Sequence, residues 1–194
     1  MLVPVLYFGV QLAALPFAPT YNLLKQVASE LGMSAVSCAP ALFNLGTMLR
    51  AVVMGVAAVG FFFELRRRSV SRGIAVWVGL TMLAIAVNDF GAGIFPLPDR
   101  RHESVFAAGY LLWPPAILAA TWHQPGAGGF KAYVMVNIAF ICGLIGWRIA
   151  SGDALALAGL FQRLLGVATV GPIGVASWFL SRRGPAPIQI SDLS

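Results

Sequence analysis

Charge is what this sequence has least of. Asp and Glu together number 7 in 194 residues, and charged residues make up 10% of the chain, where a soluble domain carries roughly 25%. So few ionised side chains cannot cover a water-facing surface, and a soluble globular fold is excluded. Cysteine is nearly as sparse. Cys38 and Cys142 each lie in or beside an apolar stretch, where a lone Cys behaves as a small hydrophobe, which excludes a disulfide scaffold. Two histidines, His102 and His123, with scattered carboxylates fall short of the several N or S ligands that zinc wants, so no metal is expected. Neither a Gly-x-Ser-x-Gly elbow nor a phosphate-binding loop is present, and no cofactor is expected. The 13 Lys and Arg give a net charge of +6, yet no basic stripe with interleaved aromatics occurs of the kind nucleic acid requires.

What abounds is apolar length. Hydrophobic residues make up 59% of the chain and the mean hydropathy is +0.82. Runs long enough to cross a hydrocarbon core of about 30 Å fall near 2–18, 38–63, 73–95, 105–122, 132–150 and 155–180. They are continuous rather than alternating, so helices span and a barrel does not form. The expected fold class is all-α: a polytopic membrane bundle of six transmembrane helices over residues 1–183. Residues 184–194, polar and carrying Pro185 and Pro187, read as a disordered tail. The first run lacks the preceding basic residues of a signal peptide and reads as the first span.

The arginines orient the bundle. Arg66, Arg67, Arg68 and Arg72 lie between spans two and three, and Arg182 and Arg183 follow span six. Basic loops stay in the cytoplasm, and the even number of intervening spans puts both clusters on one side. Both termini are then cytoplasmic in an inner (cell) membrane, and the first, third and fifth loops face outward.

Polar groups at membrane depth are costly and usually face the bundle interior. Here they are Arg50, Asp89 and Arg163, with Asn44, Asn88 and Gln162 beside them. Counted inward from the outer ends at about 1.5 Å per residue, Asn44 lies roughly 9 Å deep, Asp89 roughly 10 Å, Arg163 roughly 12 Å and Arg50 roughly 18 Å. Asp89 is the sole acid inside a run, and pairing with Arg163 or Arg50 would relieve both charges. The picture rests on Asp89 and Arg163 facing one another beneath the external mouth.

Three functional readings follow. In the first, the six residues form an outer-facing polar pocket that binds, senses or passes a small anionic molecule or lipid headgroup. Arg50 and Arg163 attract the anion, Asp89 orients them, and Asn44 and Gln162 add hydrogen bonds. The plainer alternative is an interhelical clip. In the second, a membrane-embedded enzyme acts on a lipid at the outer leaflet, with His102 as general base and Asp99 or Glu103 as its partner. Asp99 serves equally as a cap for the following helix. In the third, the chain is an accessory subunit or homo-oligomer packing through its small residues.

One further pattern runs the length of the chain: Tyr21, Ser29-Glu30-Leu31-Gly32, Phe43-Asn44, Gly93-Ile94-Phe95-Pro96, Asp99, His102, Gly159 and Gln162-Arg163. In these residues and their order the chain resembles the bacterial and archaeal multi-pass proteins grouped as domain of unknown function 998. The resemblance implies a six-helix membrane bundle and specifies no activity. Arg50 departs from it, standing where that family commonly has a small residue.

Overall fold

The computed structural model describes residues 2–102, 104–151 and 156–182. Among them there are helices and no strand. In chain order the α-helices are α1 (Leu2–Ala14), α2 (Pro40–Arg67), α3 (Arg72–Ile94), α4 (Gly109–Thr121), α5 (Gly128–Ser151) and α6 (Ala158–Arg182). Short 3-10 turns extend α1 to Phe17 and lead into α4 from Arg100. Five helical stretches are long and apolar enough to cross a membrane: Pro40–Arg67, Arg72–Ile94, Arg100–Thr121, Gly128–Ser151 and Ala158–Arg182. The N-terminal Leu2–Phe17 is apolar but shorter. At about 1.5 Å per residue it covers roughly 24 Å; among the described residues, five helices of spanning length and this shorter one stand where six spans are expected. The proposed tail at 184–194 lies outside the described residues.

Neighbouring helices run antiparallel. The position of Gly93 on α3 meets Asn44 and Met48 on α2, while Gly79 lies against Ala58 and Phe62. Phe130 of α5 stacks on Phe179 of α6, and Trp147 meets Phe161. Tyr7 of α1 packs at Gly166 and Pro4 at Gly174 on α6. One end of the bundle therefore collects residues 18–39, 95–102, 104–108 and the start of α6. The other collects 68–71, 122–127 and the end of α6, where Arg68 donates to the Leu180 carbonyl and the Arg68 carbonyl accepts from Gln124.

The tight reversal between α2 and α3 shows how local sequence makes that second end. Ser69 takes φ of 59°, its N–H reaches the Arg66 carbonyl and the Val70 N–H reaches Leu65. These two bonds satisfy carbonyls that a helix end would leave orphaned. Leu65 and Val70, the accompanying apolar pair, are both buried. Ser71 then caps α3 by accepting the Ile74 N–H.

The core runs through Met54, Phe61, Val78, Met82, Trp113, Ile117, Val134 and Ile173, all buried. Equally telling is what stays uncovered. Val52, Val56, Val59 and Phe63 on α2, Leu80 and Val87 on α3, and Met135 and Val136 on α5 are exposed large hydrophobics. Helices apolar on both faces belong in lipid, where such surface needs no cover.

Candidate functional site

Asp89 sits on α3 one turn before the helix ends, 2% exposed. Its Oδ2 lies 2.7 Å from Arg50 Nη2 of α2. The Tyr110 hydroxyl, from the first turn of α4, donates to the same carboxylate at 2.7 and 2.9 Å. The Arg50 guanidinium lies 4.6 Å above the Tyr7 ring of α1, a cation–π contact of a kind that strengthens when desolvated. Four helices thus close around one ion pair. Asn88 adds a long 3.4 Å contact to Asp89 Oδ1. Arg50 Nε is buried and has no hydrogen-bond partner among the described residues.

The ion pair borders a cavity of about 410 Å³. Its polar lining includes Tyr7, Arg50, Asn88, Asp89, Tyr110 and Gln162, with His102 from residues 95–102, Ala107 from residues 104–108, and Ala28 and Ser29 from the 18–39 segment. Leu6, Val10, Phe43, Leu111, Ile145 and Leu165 supply apolar walls.

Arg163 is placed otherwise than expected. It does not face Asp89. Its Nη1 donates to the carbonyls of Leu23 at 2.6 Å, Gly159 at 2.9 Å and Gln26 at 3.1 Å, and its Nη2 donates to the Tyr21 hydroxyl at 2.7 Å. Tyr21 in turn donates to the Gln26 and Val27 carbonyls. Burial raises the Tyr21 phenol above its ordinary value, outweighing the lowering by Arg163. Gln162 stands beside this latch and accepts the Ala28 N–H at 2.5 Å. Within the loop, Glu30 accepts from the Val27 backbone and from the Gln26 side chain. Asn44 donates to the Gly32 carbonyl at 3.1 Å, so it anchors the same segment and is absent from the cavity lining. The physical reason is the early end of α1: because it stops by Phe17, the Leu23 and Gln26 carbonyls of the following loop lie at the start of α6, where a guanidinium is the natural partner.

Gly159 makes that fit possible. A Cβ there would strike the Gln26 and Leu23 carbonyls and the Arg163 guanidinium, and backbone oxygens held by a latch cannot yield.

At the rim, Asp99 is bound by Arg101 through its guanidinium at 2.7 and 3.1 Å and through its backbone N–H at 2.9 Å. These hydrogen bonds lower the Asp99 carboxyl from 3.8 to about 2. The carboxylate caps a short turn and is committed to arginine, so the expected His102–Asp99 couple is not assembled. The His102 Nδ1 lies 2.9 Å from the Phe95 carbonyl. A carbonyl only accepts, so Nδ1 carries the proton in this contact. Glu103 lies outside the described residues.

Of the six expected ligand-binding residues, Arg50, Asn88, Asp89 and Gln162 line one cavity, while Asn44 and Arg163 hold the loop beside it. Sequence reasoning missed Tyr7 and Tyr110 at the ion pair, and Gln11, Thr47 and Thr169 elsewhere in the lining. A tyrosine in an apolar run reads as an interfacial anchor; the available signal was that a buried phenol must find a partner.

Apolar-faced helices around an internal cavity define the class as a multi-pass membrane protein. Residues 1–178 match the family described as protein of unknown function (DUF998), and the chain belongs to that family. No curated protein and no solved structure matches it.

Proposed function

We propose that this is a membrane-embedded binding protein whose cavity takes a small molecule or the polar end of a lipid, reached from the end carrying residues 18–39, 95–102 and 104–108. The positive-inside rule puts the arginine-rich opposite end in the cytoplasm, so the cavity end faces outward. One observation supports the reading above the others. The buried Arg50–Asp89 pair borders a cavity of about 410 Å³. A clip between helices needs the pair but not the space, whereas binding sites are concave, mainly apolar and furnished with a few convergent polar groups.

A thermal-shift screen of lipids and small amphiphiles on the purified chain tests this, with Ala107→Trp as control. Ala107 lines the cavity yet is exposed, so a tryptophan fills the mouth without disturbing the core. At least one compound should raise the wild-type Tm by about 4 °C or more and leave the control unmoved. If nothing stabilises the wild type, or the control responds equally, the clip is the correct account.

A further inference from the structure

Taking the cavity as a binding site, we infer that its ligand is uncharged: an amphiphile presenting an ester or carbonyl oxygen to Arg50, not a free carboxylate or a phosphate. The charge balance of the lining carries this. Arg163 is drawn away into the loop latch, and the cavity keeps a single guanidinium, already 2.7 Å from the Asp89 carboxylate. Among the described residues, Arg50 and Asp89 are the only Lys, Arg, Asp or Glu side chains in the lining, and their charges cancel.

An incoming anion would meet Arg50 with Asp89 alongside, in surroundings too apolar to screen the repulsion. It would also leave the site with one uncompensated negative charge, the arrangement buried sites tolerate least. A neutral oxygen acceptor avoids both costs.

The unmatched hydrogen-bonding groups point the same way. Arg50, in the cavity lining with 11% of its side chain exposed, has guanidinium N–H groups beyond the one spent on Asp89. Gln162 spends its carbonyl on the Ala28 N–H, which leaves its amide N–H groups for a ligand. Both call for an acceptor, and an ester or ketone oxygen provides one without charge. The apolar walls formed by Leu6, Val10, Phe43, Leu111 and Leu165 suit a hydrocarbon portion, and about 410 Å³ lies within the range of small-molecule sites.

The test compares two probes with the same chain and different head charge, 1-monolauroylglycerol and laurate. Binding is measured to the full chain in a neutral detergent at about pH 8.5, where a carboxyl group is ionised. The monoglyceride should bind roughly tenfold tighter or more, and Ala107→Trp should lose that binding. In Asp89→Asn, where Arg50 has no counter-charge, the preference should turn toward laurate. Equal or tighter binding of laurate by the wild type overturns the uncharged class and leaves the binding reading intact. Binding of neither probe, with every hit from the wider screen charged, does the same. No hit at all overturns both. Should Asp89→Asn fail to fold, the wild-type ratio decides alone.

Discussion

The Tyr110 hydroxyl and the Arg50 guanidinium converge on one carboxylate, both at 2.7 Å from an oxygen of Asp89. Each partner loss leaves a different debt. Tyr110→Phe removes a hydrogen bond to a charged group and should cost about 1.5–3 kcal/mol. Asp89→Ala strands a buried guanidinium and should cost about 3–5 kcal/mol. Arg50→Met combined with Asp89→Leu removes both charges and should recover most of that loss. Reversible unfolding in mixed micelles measures all three. A double variant as unstable as Asp89→Ala would mean that the pair is not self-contained. A double variant that is stable yet unable to bind would separate the pair's role in the cavity from its role in folding.

Arg163 makes a different prediction because its acceptors belong to one loop. Arg163→Ala forfeits charge-assisted bonds worth about 1.5–3 kcal/mol, and the loss falls on the local opening of residues 21–28 and not on the core. Amide exchange there should accelerate roughly tenfold or more, with α3 and α4 unchanged. Arg163→Lys should rescue little, since an ammonium cannot reproduce a planar fork that reaches carbonyls and a phenol together. Gly159→Ala should copy the alanine phenotype although Arg163 is intact, because its Cβ would occupy the space of the Gln26 and Leu23 carbonyls. Uniform acceleration across the whole chain would refute a local latch.

These two arginines mark where sequence reading reached its limit. The apolar runs gave the helices to within a few residues, because the length of a run is itself what membrane spanning demands. Depth was counted as though all runs ended level, and they do not. With Met48 against Gly93 and Ala58 near Gly79, Asp89 faces the turn that carries Arg50, and α2 extends past the end of α3. Arg50, counted as far too deep, is therefore the neighbour. Arg163 was at the right depth but turned toward carbonyl oxygens, and a loop's free carbonyls leave no trace in side-chain identity. Tyr21, its partner across the latch, was visible in the family resemblance without a role attached.

The rim offers a prediction in pH. Asp99 is held near 2, below the ordinary 3.8, by the Arg101 side chain and N–H. A carboxyl depressed in the folded state contributes its stabilisation above about pH 4 and loses it as pH falls through about 2. Its side-chain carbon resonance in micelles should therefore titrate with a midpoint near 2. Arg101→Ala should move the midpoint up toward 3.8. A wild-type midpoint already at the ordinary value would show that the contact does not persist in solution.

At the opposite end, Ser69 sits at φ of 59°, in the left-handed region that costs a residue with a Cβ about 1–2 kcal/mol. Its backbone N–H closes onto Arg66, and the following residue closes onto Leu65. The backbone geometry therefore matters here, and the side chain, which is exposed, does not. Ser69→Gly relieves the steric cost and gives back about 0.5–1 kcal/mol through the greater freedom of the unfolded chain, so a net gain of about 0.5–1 kcal/mol is expected. Ser69→Val should lose stability, because a β-branched residue is a poor occupant of that region. Ranking the three by unfolding midpoint checks it: glycine above serine above valine. Valine equal to serine would mean that the reversal adopts a different backbone, and the two carbonyls it satisfies would need other partners.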